Sequence, residues 1–118
     1  MPLTKETMKT KIHKKNIVIL NVLPEEEFLK LRIKGSNNLP LTQDHDAFVA
    51  EVDKRYGKKF EFITHSADSG CAAGMHAANA LKKNGFDADY YPGGVREWDE
   101  AGLPTEGFRS KPGGPERF

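Results

Sequence analysis

The sequence is poor in cysteine and has no long apolar stretch. It contains one cysteine in 118 residues, so a framework of intrachain disulfides is excluded. No apolar run approaches the ~18 residues that a membrane-spanning helix needs. The N-terminus also lacks an apolar segment followed by small residues, so we expect no signal peptide. From these absences we expect no membrane association and a reducing, cytoplasmic location.

An excess of charge of one sign is missing as well. Lysine and arginine total 18, aspartate and glutamate total 17, and the net charge is +1. This balance gives no argument for binding to nucleic acid or to a membrane surface. The lysines crowded near the N-terminus we interpret as a solvated helix face. The length suits a single domain, which we place at residues 1–106. Residues 107–118 are rich in glycine, proline and charge, and we expect a mobile tail there.

Apolar segments alternate with helical patterns along the chain. Strands are predicted at residues 17–22, 60–64 and 87–91, and helices at residues 5–14, 24–32, 44–56, 73–84 and 95–101. Residues 35–41 read as a turn followed by a short extended piece. This alternation is typical of an α/β fold, in which a parallel sheet carries helices on both faces. Ligands of such sheets bind beyond the carboxyl ends of the strands.

The loop from His65 to Ala72 lies at such an end and precedes a helix of small residues. It contains Cys71, the only cysteine. Several backbone N–H groups and the positive end of the following helix point toward this loop, which suits an oxyanion or a thiolate. We therefore expect an anion-binding loop formed by Ala67, Asp68, Ser69, Gly70 and Ala72 around Cys71. The opposite interpretation of Cys71 is a small buried residue packed under the loop.

Other chemistries fit the loop less well. A hydrolase built on Ser66 and His65 is disfavoured because consecutive strand residues point to opposite faces. A phosphatase needs a fixed cation for the transferred phosphoryl group, and no lysine or arginine lies between Ser66 and Leu81. A metal site formed by His65, Cys71 and His76 matches no common zinc spacing. We therefore predict no metal and no cofactor.

The second half of the chain carries a recognisable set of motifs. A helix ending in Gly85-Phe86 is followed by Gly93-Gly94, by Trp98 in a short helix and by Gly102-Leu103-Pro104. Upstream, the stretches PEEEF (24–28) and RIKGS (32–36) complete the pattern. The chain in this respect resembles a rhodanese domain over roughly residues 4–107. The resemblance implies a sulfurtransferase, in which a loop cysteine takes sulfane sulfur from a donor, holds it as a persulfide and passes it to a nucleophile.

The resemblance also places Ser66 where the family has its nucleophilic cysteine. Cys71 then lies where some members carry a second cysteine, and Asn21-Val22-Leu23 replaces the Asp-Val-Arg of the family. A serine oxygen does not form a stable persulfide, so no sulfur transfer through residue 66 is expected. Three explanations remain open: an introduced cysteine-to-serine replacement, a natural loss that leaves a non-catalytic binding module, and transfer of the role to Cys71.

The expected partners follow from the same resemblance. They are a small sulfur-donor anion, a thiol acceptor and a protein thiol, without nucleic acid or membrane. Asp68 has two interpretations: an acceptor for loop N–H groups, or a selective carboxylate that repels anionic donors. Whether the chain is an enzyme depends on Cys71, because Ser66 cannot carry the sulfur.

Overall fold

A four-stranded parallel sheet forms the centre of the computed structural model, which describes residues 2–110. Its strands are β1 (Ile17–Asn21), β3 (Asn37–Asn38), β4 (Glu61–His65) and β5 (Asp87–Tyr90), and they lie in the order β3-β1-β4-β5. β1 and β4 are the inner strands, and their near-continuous apolar sequences suit burial on both faces. Asn21 pairs in register with His65, and the ladder continues as Val22 N–H donates to the His65 carbonyl at 3.0 Å.

Five helices surround the sheet within the described residues: α1 (Lys5–Lys11), α2 (Glu25–Lys30), α3 (His45–Tyr56), α4 (Ala73–Lys83) and α5 (Gly94–Glu100). The caps agree with the local sequence. Thr4 accepts from the Thr7 N–H, Asp44 accepts from the Ala47 N–H, and Gly85 follows α4 with a left-handed φ of +87°. Between residues 2 and 110 no helix combines the length and the apolar character needed to cross a bilayer.

Each face of the sheet has its own apolar cluster. On one face, Phe48 and Val52 of α3 and Ala77 and Leu81 of α4 pack against Phe62. On the other face, Met8 of α1 and Trp98 of α5 pack against Ile19, Ile33 and Ile63. Helices therefore cover both faces of a parallel sheet, and the predicted fold class is confirmed.

The second helix is shorter than predicted. α2 ends at Lys30, and the chain then forms β2 (Arg32–Ile33), which pairs antiparallel with β6 (Thr105–Glu106). No residue of α2 is fully buried. The Arg32 guanidinium lies over the Phe28 ring, 4.7 Å from the ring centroid. Two-residue strands carry no periodicity, so the sequence pattern could not have revealed this distant pair.

The first part of the predicted tail lies against α2. The Phe108 N–H donates to the Leu29 carbonyl at 3.3 Å, and the Arg109 N–H donates to the Lys30 carbonyl at 2.8 Å. Residues 111–118 lie outside the described part of the chain. The boundary at residue 107 and the mobility of the tail therefore stay predictions.

Candidate active site

The loop after β4 is held between the first turns of α4 and α5. A Cβ atom at Gly74 would lie 2.9 Å from the His65 Cα, and one at Gly94 would lie 2.5 Å from the Ser66 carbonyl oxygen. Gly94 also has a φ of +64°, which side chains rarely adopt. Both helices thus approach the backbone of the loop more closely than a side chain would permit.

Backbone hydrogen bonds fix the path of the loop. The Val95 and Arg96 N–H groups of α5 donate to the carbonyls of Ser66 and Ala67 at 3.2 and 2.9 Å. Inside the loop, the Gly70 N–H donates to the Asp68 carboxylate at 2.9 Å, and the Cys71 N–H donates to the Asp68 carbonyl at 3.1 Å. The N–H groups of Gly70 and Cys71 are therefore engaged within the loop itself.

Cys71 is half-buried, and its surroundings stabilise the thiolate. The hydroxyl of Ser66 is the main cause of a lowered Cys71 pKa, with smaller contributions from the backbone N–H groups of Ala73 and Ala67. Burial and the negative charge of Asp68 oppose this shift. Of the loop residues predicted to surround Cys71, only Ala67 contributes an N–H group to this shift, and the other N–H group belongs to Ala73, one position beyond the predicted loop.

Ser66 lies beneath Cys71 and is only 3% exposed. Its hydroxyl donates to the Cys71 carbonyl oxygen at 3.0 Å, and the pKa of Cys71 is lowered when the hydroxyl donates to the sulfur instead. A hydroxyl has a single proton, so it serves one of these acceptors at a time. Ionisation of Cys71 favours the sulfur, because a hydrogen bond to a charged acceptor is the stronger one.

A cavity of about 150 Å³ opens beside both residues. Its walls combine the loop with α4 and with the end of β5: Ser66, Ser69, Cys71, Ala72, Gly74, Met75, Tyr90, Tyr91 and Pro92. The tyrosines were not predicted as site residues, since only the tertiary structure brings the end of β5 to the loop, and Met75, which follows the loop in α4, was not predicted either. No described lysine or arginine lines this cavity, so it has no fixed cation for a phosphoryl group among residues 2–110.

The charged residues lie on the outer side of the loop. Arg96 of α5 places its guanidinium 3.7 Å from the Asp68 carboxylate and 3.3 Å from that of Glu100. Asp68 is about one-third exposed, so this pair contributes little to stability. Asp68 nevertheless accepts from a loop N–H, and its negative charge raises the Cys71 pKa, while the repulsion of anionic donors stays a prediction.

The three candidate zinc ligands do not form a site. His65 is fully buried on the α5 side of the sheet, where its Nδ1–H donates to the Ser66 carbonyl at 3.1 Å. His76 is exposed on α4 and meets His45 edge to face, with 6.3 Å between ring centroids. Among residues 2–110 no group of three ligating side chains is arranged to hold a metal ion. Since His65 contacts the Ser66 carbonyl, the geometry of a serine–histidine hydrolase is not formed either.

The architecture and the loop match a known family. The sequence profile of the Rhodanese-like domain matches residues 4–101 of this chain. The chain belongs to the rhodanese-like domain family. The predicted resemblance is thereby confirmed, and Ser66 and Cys71 both lie within the matched range.

Solved structures support the fold of this rhodanese-like domain. The rhodanese-like domain of an Anabaena protein, determined by NMR, superposes with a TM-score of 0.76 at 20% identity, over 94% of this chain and 82% of that one. A Bacillus halodurans protein gives 0.74 at 18% identity, over 92% and 77%. A Saccharomyces cerevisiae protein gives 0.71 at 26% identity, over 86% and 92%. No curated protein sequence matched the chain.

The Ser66→Ala variant tests the hydrogen bond to the sulfur. Removal of the hydroxyl removes the main cause that lowers the Cys71 pKa, so we expect the pH–rate profile for alkylation by iodoacetamide to move to higher pH. The matched control is Ser69→Ala, which removes a hydroxyl from the same cavity. An unchanged profile in Ser66→Ala, or an equal displacement in both variants, would contradict the assignment.

His65 predicts a loss of stability in mild acid. Burial lowers the pKa of His65 from 6.5 to about 4. As pH falls, the His65 imidazole is therefore protonated near pH 6.5 in the unfolded chain but only near pH 4 in the folded chain. The contribution to the free energy of unfolding is present above pH 6.5 and is lost as pH falls. By pH 5 the loss is about 2 kcal/mol. Urea unfolding at pH 7.5 and 5 measures it.

The control for this pH dependence is a pair of glutamine variants. His65→Gln should lower stability at pH 7.5 and remove about 2 kcal/mol of the difference between the two pH values. His76→Gln changes an exposed histidine and should leave the difference intact. If His65→Gln retains the full difference, His65 is not its source.

Proposed function

We propose that this rhodanese-like domain is a sulfurtransferase that carries sulfane sulfur as a persulfide on Cys71. The observation that carries the proposal is the placement of a half-buried thiol, beside the family's nucleophile position, where Ser66 and two backbone N–H groups lower its pKa. A larger fraction of thiolate at neutral pH raises the concentration of the attacking species. The cavity that Ser66 and Cys71 both line leaves space beside the sulfur for a small donor.

The transfer consists of two displacements at sulfur. The Cys71 thiolate attacks the outer sulfur of a donor, the donor's S–S bond breaks, and its electron pair leaves on a thiolate or, from thiosulfate, on sulfite. Cys71 is then a persulfide. An acceptor thiolate attacks the terminal sulfur and regenerates the Cys71 thiolate. Electrons and atoms balance at each step, so no cofactor is required.

Ser66 and the backbone serve the leaving sulfur in this scheme. During the second displacement, negative charge returns to the Cys71 sulfur, where the Ser66 hydroxyl and the N–H groups of Ala67 and Ala73 lie. Donors held in place at a site of developing charge stabilise it without reorganisation. Ser66 is thus a hydrogen-bond donor in the reaction and not the carrier of sulfur.

The partners proposed for the domain follow from this chemistry. They are a small sulfur donor and a thiol acceptor, either a free metabolite or a protein thiol. A reducing, cytoplasmic setting is part of the proposal, because Cys71 must remain a free thiolate between turnovers. Asp68 favours donors of low negative charge over the dianion thiosulfate, since its carboxylate lies within reach of Cys71.

A non-catalytic binding module is the second candidate. Its support is the burial of the family's nucleophile position: Ser66 is 3% exposed and the cavity measures only about 150 Å³. In this alternative the loop holds a persulfide, a small thiol or a protein partner without turnover. The same geometry would result from a cysteine at position 66 that had been replaced by serine.

Mass spectrometry of persulfide formation separates these functions. The unchanged chain, Cys71→Ala, Ser66→Cys and the double variant Ser66→Cys/Cys71→Ala are incubated with polysulfide or with thiosulfate. We expect the unchanged chain to gain the mass of one sulfur atom and to pass it to a small thiol, and Cys71→Ala to gain nothing. Sulfur gain only in the two forms that carry Ser66→Cys would show a silenced nucleophile position. No gain in any form would favour the binding module.

Asp68→Asn tests the proposed donor selectivity. Asparagine keeps an oxygen acceptor for the Gly70 N–H but removes the negative charge near Cys71. The rate constant for sulfur transfer from thiosulfate should rise by about threefold to tenfold at low salt, more than that for a singly charged polysulfide. The control is Glu100→Gln, which removes the α5 carboxylate that also pairs with Arg96. Equal changes for both donors would contradict selection by charge.

A further inference from the structure

A second cavity lies toward the opposite end of the sheet from Cys71. It has a volume of about 360 Å³ and opens where the chain passes from α1 into β1. None of its lining residues lines the cavity beside Cys71. It therefore forms a separate site, referred to below as the α1–β1 pocket.

The floor of the α1–β1 pocket is apolar. Ile17 and Ile19 of β1 contribute aliphatic surface, and Trp98 of α5 contributes its indole. Ile19 is 3% exposed and Trp98 1% exposed, so both belong to the core of that face. The Trp98 indole N–H donates to the Pro104 carbonyl at 2.7 Å, which fixes the ring, and the half-buried Ile12 and Ile17 add apolar surface that solvent reaches.

The rim of the α1–β1 pocket carries two lysine ammonium groups. His13 and Lys14 come from the connection between α1 and β1, and Lys34 follows β2. No described aspartate or glutamate is among the lining residues. Within residues 2–110 the ammonium groups of Lys14 and Lys34 form no ion pair, although the chain as a whole is nearly neutral. The Glu106 carboxylate approaches the rim, where it accepts from the Gly35 N–H at 3.5 Å, but its described ion-pair partner is Arg32 and neither rim lysine.

We propose that the α1–β1 pocket binds a small organic anion with an apolar body, such as an aryl or alkyl carboxylate. The apolar body packs on the half-buried Ile12 and Ile17, and the carboxylate faces Lys14 and Lys34. An inorganic anion would leave the apolar floor in contact with water, so both parts of the ligand are needed. The volume suits a small ligand, since typical pockets begin near ~300 Å³.

Titration of the full ¹⁵N-labelled chain with 3-phenylpropionate tests the proposal. The neutral isostere 3-phenylpropionamide has the body without the charge, and sulfate has the charge without the body. We expect 3-phenylpropionate to shift the Trp98 indole N–H and the backbone amides of Lys34 and Gly35. The amide and sulfate should bind at least tenfold more weakly. Cys71→Ala should bind 3-phenylpropionate as the unchanged chain does, because that site is separate.

Variants without the rim lysines test whether Lys14 and Lys34 bind the carboxylate. Lys14→Gln/Lys34→Gln should weaken 3-phenylpropionate binding at least tenfold, and added salt should weaken binding to the unchanged chain. Lys54→Gln, which removes an exposed lysine of α3 outside the pocket, should have no effect. Equal affinity for the acid and the amide, equal effects of the lysine variants, or shifts absent or confined to other residues at millimolar 3-phenylpropionate would each overturn the proposal.

Discussion

The close approach of two glycines to the end of β4 is the constraint on which the candidate site depends. Gly74 brings α4 against the backbone of His65, and Gly94 brings α5 against the carbonyls of Ser66 and Ala67. The first turn of α5 then donates two N–H groups to those carbonyls. A side chain at either glycine would displace a helix from the loop. The position of Cys71 relative to Ser66 follows from this packing.

The chemistry of the loop depends on where its few hydrogen-bond donors point. The N–H groups of Gly70 and Cys71 bind acceptors within the loop, and the donors that lower the Cys71 pKa are the Ser66 hydroxyl and the N–H groups of Ala73 and Ala67. Burial and Asp68 act in the opposite direction. The resulting thiol has a lowered pKa, in a cavity whose described lining has no cation. Such a site suits exchange between sulfur atoms better than transfer of a highly charged group.

Much of the fold was predictable because its signals are local. Apolar β-branched runs specify β1 and β4, Asp44 and Thr4 specify helix starts, and Gly85 specifies a helix end. The pair β2–β6 was missed, since two short segments far apart in the chain stabilise one another only after folding. The same holds for Tyr91, which reaches the Cys71 cavity from the end of β5, and for Arg96, which reaches Asp68 from α5.

The sequence by itself determined the family, the loop that contains Ser66 and Cys71, and the absence of a cysteine at position 66, because these are properties of residue identity and spacing. The tertiary structure decided which donors meet the sulfur and which side chains enclose it. It also decided that His65 is buried away from the Ser66 hydroxyl. Hydrogen bonding and burial act over a few ångströms, and those distances exist only once β4, α4 and α5 have packed together.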